Sequence, residues 1–84
     1  MPLYLDIHEQ APEGLTLEAL EEAHQVDLQH QDSHGVAYLQ YWADLQARKV
    51  FCLVEAPSAD AAAAVHREGH GLVANRIYEV VEGH

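Results

Sequence analysis

The chain is poor in positive charge and contains a single cysteine. Four lysines and arginines stand against 14 aspartates and glutamates, which gives a net charge of −10 over 84 residues. Nucleic acids and anionic membrane surfaces are bound through basic clusters, so this balance argues against both as partners. It favours cationic partners such as metal ions, although acidity also serves solubility. One cysteine, Cys52, cannot form an intramolecular disulfide and fits a reducing cytoplasm.

Signals of membrane proteins, secreted proteins and several enzyme classes are also missing. No apolar run approaches the length of a membrane span, and no basic segment followed by an apolar one marks a secretory signal. The sequence has no Gly-rich phosphate loop, no nucleophile elbow, and neither a Cys-x2-Cys nor a His-Glu-x2-His motif. We therefore expect one cytoplasmic domain over residues 1–84, with no motif that favours an enzyme.

Histidine is the residue type that the chain has in abundance, with seven copies. His24 and His66 occupy matching places in two segments, 16–27 and 58–69. In each segment a Ser or Thr comes eight residues before the histidine, with an acid two residues and an alanine three residues after that Ser or Thr. Imidazole is the commonest protein ligand for transition metals. The pattern predicts a metal-binding protein.

Capping and turn signals divide the chain into six elements. Residues 1–8 alternate between apolar side chains and a polar or aromatic set, which is typical of a strand with two different faces. Thr16 and Ser58 each fit the N-cap of a helix. The expected elements are strands at 1–8, 36–43, 48–55 and 74–82, a helix from Thr16 to about His30, and a helix from Ser58 to about Glu68. This β-α-β-β-α-β order indicates an α+β, ferredoxin-like (split βαβ) fold, with a four-stranded antiparallel sheet and two helices on one face.

The predicted strand order suggests contacts between residues that are distant in the sequence. We expect the first and third strands to be parallel neighbours at the sheet centre, so that their ends, His8 and Glu55, lie side by side. We also expect Tyr4, Asp6 and His8 on the sheet face that lacks helices. That face needs a cover, and pairing two sheets in a homodimer would give a barrel-like α/β assembly.

Five stretches carry a family resemblance: MPLYLDIHE, AHQVD, YLQYWAD, VFCLVEAPSADAAAAVHREGHGL and IYEV. In them the chain resembles the small nickel-binding, nickel-responsive ferredoxin-like proteins, a family otherwise catalogued as a domain of unknown function. The most specific part is Phe51–His70. The resemblance implies a dimeric barrel-like fold and Ni²⁺ binding. It makes the matching positions candidate ligands: His8, His24, Asp27, Glu55, His66 and His70.

Each candidate ligand also has a structural interpretation. His66 and His70 are four residues apart and share a helix face, which suits a metal but also suits the C-terminal end of a helix dipole. His24 lies on a stripe of leucines, where a histidine is often a hydrogen-bonded core residue. Asp27 could ligate the metal, orient an imidazole, or be a solvated acid. Glu55 could pair with His8 on Ni²⁺ or bind backbone amides at the following helix.

The cysteine and the aromatic residues of the second strand also have both a structural and a functional interpretation. Cys52, between two apolar residues in a strand, fits a small buried hydrophobe, with metal ligation or redox chemistry as the alternative. The aromatic residues of the second strand fit a dimer interface or core, or the wall of an organic-ligand pocket: Tyr38, Tyr41 and Trp42. Three histidines at a helix end, a turn and the last position are expected to be exposed: His30, His34 and His84.

Three functions remain open from the sequence. The first is a cytoplasmic homodimer that binds Ni²⁺, with other divalent transition metals possible, in order to sequester, buffer or deliver the ion. The second is a dimeric α/β-barrel protein that binds a small molecule, or a cofactor-free enzyme, with a pocket lined by His8, Asp6, Glu55 and Tyr4. The third is an interaction module without a site of its own.

Overall fold

In a computed structural model the chain is described over residues 1–83, and these form the expected ferredoxin-like fold. The strands are β1 (Leu3–His8), β2 (Ala37–Asp44), β3 (Lys49–Glu55) and β4 (Arg76–Val80), and the helices are α1 (Leu17–His30) and α2 (Ala59–Gly69). A short 3-10 helix at Gln31–His34, not expected from the sequence, follows α1 directly. The predicted β-α-β-β-α-β order is confirmed.

Both helices begin at the predicted caps. The Thr16 hydroxyl accepts a hydrogen bond from the Ala19 amide, and the Ser58 hydroxyl accepts one from the Ala61 amide. Each cap satisfies one of the amide groups that a helix N-terminus leaves unpaired. Helix α2 ends at Gly69, one residue beyond the predicted end, and His70 is its C-cap.

The sheet has the order β2-β3-β1-β4, and every neighbouring pair is antiparallel. The expectation that β1 and β3 run parallel is therefore wrong. In a split βαβ unit, β1 and β2 are joined through a helix and run in the same direction, while β3 lies between them and opposes both. As a result His8 pairs with Val50, whereas Glu55 pairs with Leu3 at the opposite end of the sheet.

The two faces of the sheet are also the reverse of what we expected. Tyr4 and Asp6 are buried beneath the helices, and His8 lies on the same side, because strand side chains alternate. The assumption that a polar set faces outward failed because Asp6 has a buried partner on α2. The core between sheet and helices contains Leu20, Tyr38, Val54 and Val65. The opposite face carries the leucines of β1, together with Phe51 and Leu53 of β3.

Candidate metal centre beneath the helices

A buried histidine between two buried carboxylates forms the centre of the molecule. His66, on α2, is 1 % exposed. Its Nδ1 lies 2.9 Å from Oδ1 of Asp27 on α1, and its Nε2 lies 2.9 Å from Oδ2 of Asp6 on β1. One imidazole thus joins three elements that are distant in the sequence. The position of each carboxylate follows from local structure, since Asp6 points inward from a central strand and Asp27 lies on the face of α1 that packs against α2.

The three groups hold one another in their charged forms. Burial alone would raise the pKa of Asp6, but its interactions with His66 and His8 lower that pKa from 3.8 to about 2. Burial likewise opposes ionisation of Asp27, yet His66 and His70 lower its pKa. Burial would lower the pKa of His66, but its hydrogen bonds to Asp27 and Asp6 raise it from 6.5 to about 9. Because an ionised carboxylate can only accept hydrogen bonds, both nitrogens of His66 donate and the ring is an imidazolium.

Neighbouring side chains complete the inner part of this cluster. The Tyr38 hydroxyl lies 2.9 Å from the Ala62 carbonyl and 3.3 Å from Asp6 Oδ2, so its single proton serves two acceptors. Burial, reinforced by the charge of Asp6, raises the pKa of the Tyr38 hydroxyl and of the Cys52 thiol. The Asp6, His8, Cys52 and His66 side chains each offer a ligand atom, and these atoms all lie within 4.8 Å of one another.

A second group of ligand atoms lies on the outer side of His66. His70 Nε2 is 3.0 Å from the same Asp27 oxygen that His66 contacts, and the His66 and His70 rings are 4.8 Å apart. The other nitrogen of His70, Nδ1, accepts a hydrogen bond from the Leu72 amide. Asp27, His66 and His70 therefore form a triad with one carboxylate oxygen at its centre.

Gly69 allows the helices to approach closely enough for this triad. A Cβ added at Gly69 would lie 3.0 Å from Val26 Cγ1 and 3.6 Å from Asp27 Oδ1. Such a contact is tighter than normal packing, so a side chain here would push α1 away from α2. Gly71 then reverses the chain with φ of +80°, and its amide donates to the His66 carbonyl.

A cavity of about 400 Å³ leads from the surface to both groups of ligand atoms. Its floor is polar and includes His8, Asp27, His66 and His70. Its walls are mostly apolar and come from α1, the sheet and the loop after α2: Leu15, Leu20, Ala23, Tyr41, Val50, Leu72 and Val73. An ion or small molecule can reach the histidines by this route.

Four of the six candidate ligands belong to the two groups of ligand atoms: His66 to both, His8 to the inner group, and Asp27 and His70 to the outer one. His24 lines the cavity wall with its ring 5.0 Å from Tyr41, outside both groups of ligand atoms. Glu55 lies at the other end of β3, so the topological argument that placed it beside His8 was wrong. From the sequence, Asp6 was considered as a pocket residue but was missed as a candidate ligand. An acidic residue in a central strand, which has a strand on each side, often has a buried hydrogen-bond partner.

The remaining histidines take structural positions. His30 and His34 are partly buried rather than exposed, because His30 hydrogen-bonds the Val26 carbonyl and His34 pairs with Glu68. His84 lies outside the described residues. Within residues 1–83, no helix is both long and apolar enough to cross a membrane.

Comparison with known proteins gives a consistent result. The model of the SCO4226-like nickel-responsive protein family matches residues 4–80. The chain is also similar to the crystal structure of SCO4226 from Streptomyces coelicolor A3(2), with 36% sequence identity and a TM-score of 0.88 over 98% of this chain and 99% of that one. No curated protein sequence is a significant match.

Proposed function

Because the chain belongs to the SCO4226-like family of nickel-responsive proteins, we propose that it binds Ni²⁺ through Asp27, His66 and His70. We further propose that the protein is a cytoplasmic homodimer that sequesters, buffers or delivers the ion. The donor set of two imidazoles and one carboxylate suits a borderline divalent metal, and other such ions would compete for it.

The spacing of the three donors is the observation that carries this proposal. Divalent ions hold nitrogen and oxygen ligands at about 2.1 Å. Two ligands at right angles on such an ion, as in the tetragonal geometry of Ni²⁺, are then about 3.0 Å apart. Asp27 Oδ1 lies 2.9 Å from His66 Nδ1 and 3.0 Å from His70 Nε2. The three donor atoms are therefore close enough to share one ion, which would take the place of the hydrogen-bonding protons once the two imidazole rings turn their lone pairs towards it.

Asp6 supports this use of His66. With Nδ1 on the metal, Nε2 carries the remaining proton and donates it to Asp6 Oδ2, the arrangement that fixes the orientation of metal-bound histidines. His70, by contrast, must change the nitrogen that carries its proton. If Nε2 binds the ion, the proton of neutral His70 moves to Nδ1, and the Leu72 amide loses its acceptor. Nickel binding should therefore shift the Leu72 amide resonance.

The test is calorimetric titration of Ni²⁺ into metal-free protein without an affinity tag. We expect saturable binding near one ion per chain, and at least about tenfold weaker binding in His70→Gln, since even outer partners of a metal contribute 10–100-fold. His34→Gln is the matched control, because His34 is also partly buried and bonded to an acid. No saturable heat, or equal losses in both variants, would refute the site. A role in sequestration further requires that cells expressing the wild type tolerate more nickel than cells expressing His70→Gln.

The homodimer is proposed from the helix-free face of the sheet. This face is apolar at its centre and has charged residues of β3 and β4 at its ends, and Trp42 and Tyr78 on it are 46 % and 47 % exposed. The central part consists of four leucine and isoleucine side chains and one phenylalanine: Leu3, Leu5, Ile7, Leu53 and Phe51. An apolar patch with a charged rim commonly marks an interface. A second copy presents the same face, so pairing would bury both.

Sedimentation analysis tests the dimer. Wild-type protein should sediment as two chains, while Leu5→Glu should shift it to one chain because the charge would be buried in the interface. Gln10→Glu adds the same charge at an exposed position and should leave the dimer intact. A wild-type monomer at micromolar concentration would contradict the proposal. Cell fractionation tests the cytoplasmic location.

The cavity supports a second candidate function, a small-molecule-binding dimer. Its volume of about 400 Å³ falls in the range of ligand pockets, about 300–1,000 Å³, and it combines apolar walls with a few polar groups. This alternative gains if His24→Ala and His70→Gln leave nickel uptake intact while an organic compound raises the melting temperature.

A further inference from the structure

We propose a second, inner metal site made of Asp6, His8, Cys52 and His66, suited to a tetrahedral divalent ion of the Zn²⁺ class. It would use the side of His66 opposite to the nickel site and add a thiolate to the donors. The inference goes beyond nickel binding because it assigns a different ion class to a different set of residues.

An unsatisfied oxygen is the first observation. Asp6 is 0 % exposed, and its Oδ1 has no hydrogen-bond partner among the described residues. His8 Nε2 lies 3.4 Å from this oxygen, within ion-pair range but outside hydrogen-bond geometry. Buried carboxylate oxygens are nearly always paired, so the native site should supply a partner. A cation between Asp6 Oδ1 and His8 would be one.

The distances fit a tetrahedral ion. At bond lengths of about 2.1 Å and tetrahedral angles, two ligand atoms are about 3.4 Å apart. This is the separation of Asp6 Oδ1 and His8 Nε2. The full set of one oxygen, two ring nitrogens and one sulfur lies within 4.8 Å. Four ligands that include a sulfur favour a tetrahedral ion such as Zn²⁺ or its analogue Co²⁺. The outer triad, which has only nitrogen and oxygen donors, suits the tetragonal geometry of Ni²⁺.

The charges of the occupied site would balance. On coordination the Cys52 thiol loses its proton to solvent through the cavity, which His8, Cys52 and His66 all line. A divalent cation with the Asp6 carboxylate and the Cys52 thiolate is then neutral, as a buried site requires. His66 would also release its Nε2 proton to solvent, bind through Nε2 as a neutral imidazole, and continue to donate its Nδ1 proton to Asp27 Oδ1. Since the nickel site uses Nδ1, the two ions compete for one neutral imidazole.

Titration of metal-free protein with Co²⁺ tests the inner site. We expect a sulfur-to-cobalt charge-transfer band in the near ultraviolet and the intense visible bands of tetrahedral cobalt. Cys52→Ala should abolish the charge-transfer band, and His8→Gln should weaken Co²⁺ binding at least about tenfold. His34→Gln should match the wild type. Absence of the charge-transfer band in folded wild-type protein would overturn the proposal.

A second measurement covers the case in which Cys52→Ala does not fold. X-ray absorption of the Zn²⁺-loaded wild type should show one sulfur at about 2.3 Å, and a shell of nitrogen and oxygen alone would refute the site. A failure of the inner site can be distinguished from a failure of the nickel proposal. His70→Gln should weaken nickel binding and keep the cobalt–sulfur band, whereas loss of the band with intact nickel binding would remove only the inner site.

Discussion

Raising the pH above 6.5 should destabilise the metal-free protein through His66. The pKa of His66 is about 9 in the fold, against 6.5 for an ordinary histidine. A raised pKa contributes stability that is fully present below 6.5 and is lost as the pH rises through 9. At about 1.4 kcal/mol per pKa unit, the whole interval corresponds to about 3 kcal/mol. About 2 kcal/mol of this should be lost by pH 8.5, a large part of the roughly 5–15 kcal/mol by which domains are stable.

The assay is urea unfolding followed by circular dichroism, at fixed protein concentration and with a chelator present. The series should stop at pH 8.5, because Cys52 and Tyr38, whose pKa values burial raises, begin to ionise in the unfolded chain at higher pH. With a slope near the low end of about 1–3 kcal/mol/M, the midpoint should fall by about 1.5 M between pH 6.5 and 8.5.

Two further results bear on the same reasoning. Stability should also fall below pH 4, because the lowered pKa values of Asp6 and Asp27 contribute stability that is lost as these groups become protonated. His34→Gln, a change outside the buried cluster, should keep the alkaline loss. An unchanged urea midpoint from pH 6.5 to 8.5 would show that His66 is not held as an imidazolium, and the charge assignment would be wrong.

Three substitutions test the packing around the site. Tyr38→Phe removes the hydroxyl that serves Ala62 and Asp6 and should cost about 1–2 kcal/mol in urea unfolding; a cost near zero would mean that this bond adds nothing. Ser58→Ala removes the cap of α2 and should cost about 1 kcal/mol without changing nickel affinity by calorimetry. Gly69→Val should cost about 1–3 kcal/mol and also weaken nickel binding, because it moves α1 and Asp27 away from α2. Wild-type nickel affinity in Gly69→Val would contradict the close-approach argument.

The order of helices and strands could be predicted because every boundary has a local signal. Thr16 and Ser58 are caps that act within three residues, and the structure uses both as expected. The predicted strand limits differ from the observed ones by one or two residues at most ends, where the sheet partner rather than the local sequence decides pairing. The 3-10 helix at Gln31–His34 has no comparable signal, since Asp, Ser and His favour turns of several kinds.

The site could be predicted only in part because it depends on contacts between distant residues. The i, i+4 spacing of His66 and His70 is local, and the structure places them side by side. Asp6 and His66 are 60 positions apart, and only the packing of α2 on β1 brings them together. The error over Glu55 was an error of strand direction, because the predicted fold already makes the third strand antiparallel to the first and so places Glu55 at the end of the sheet opposite to His8. Asp6 could have been identified as a candidate ligand from the sequence. The predicted fold places β1 at the centre of the sheet, where an acidic side chain needs a buried partner.

The alternation along β1 has a consequence for how the chain folds. Asp6 belongs to the charged cluster, while Leu5 and Ile7, its direct neighbours, belong to the apolar face on the other side of the sheet. A slip of β1 by a single residue would exchange these roles, leaving a carboxylate against leucines and an aliphatic group against His66. Both faces of the sheet would then carry mismatched side chains. Because β1 lies between β3 and β4, the slip would also affect its pairing with both strands. Mispairing of this strand would therefore be destabilised on both faces of the sheet, which favours the native register during folding.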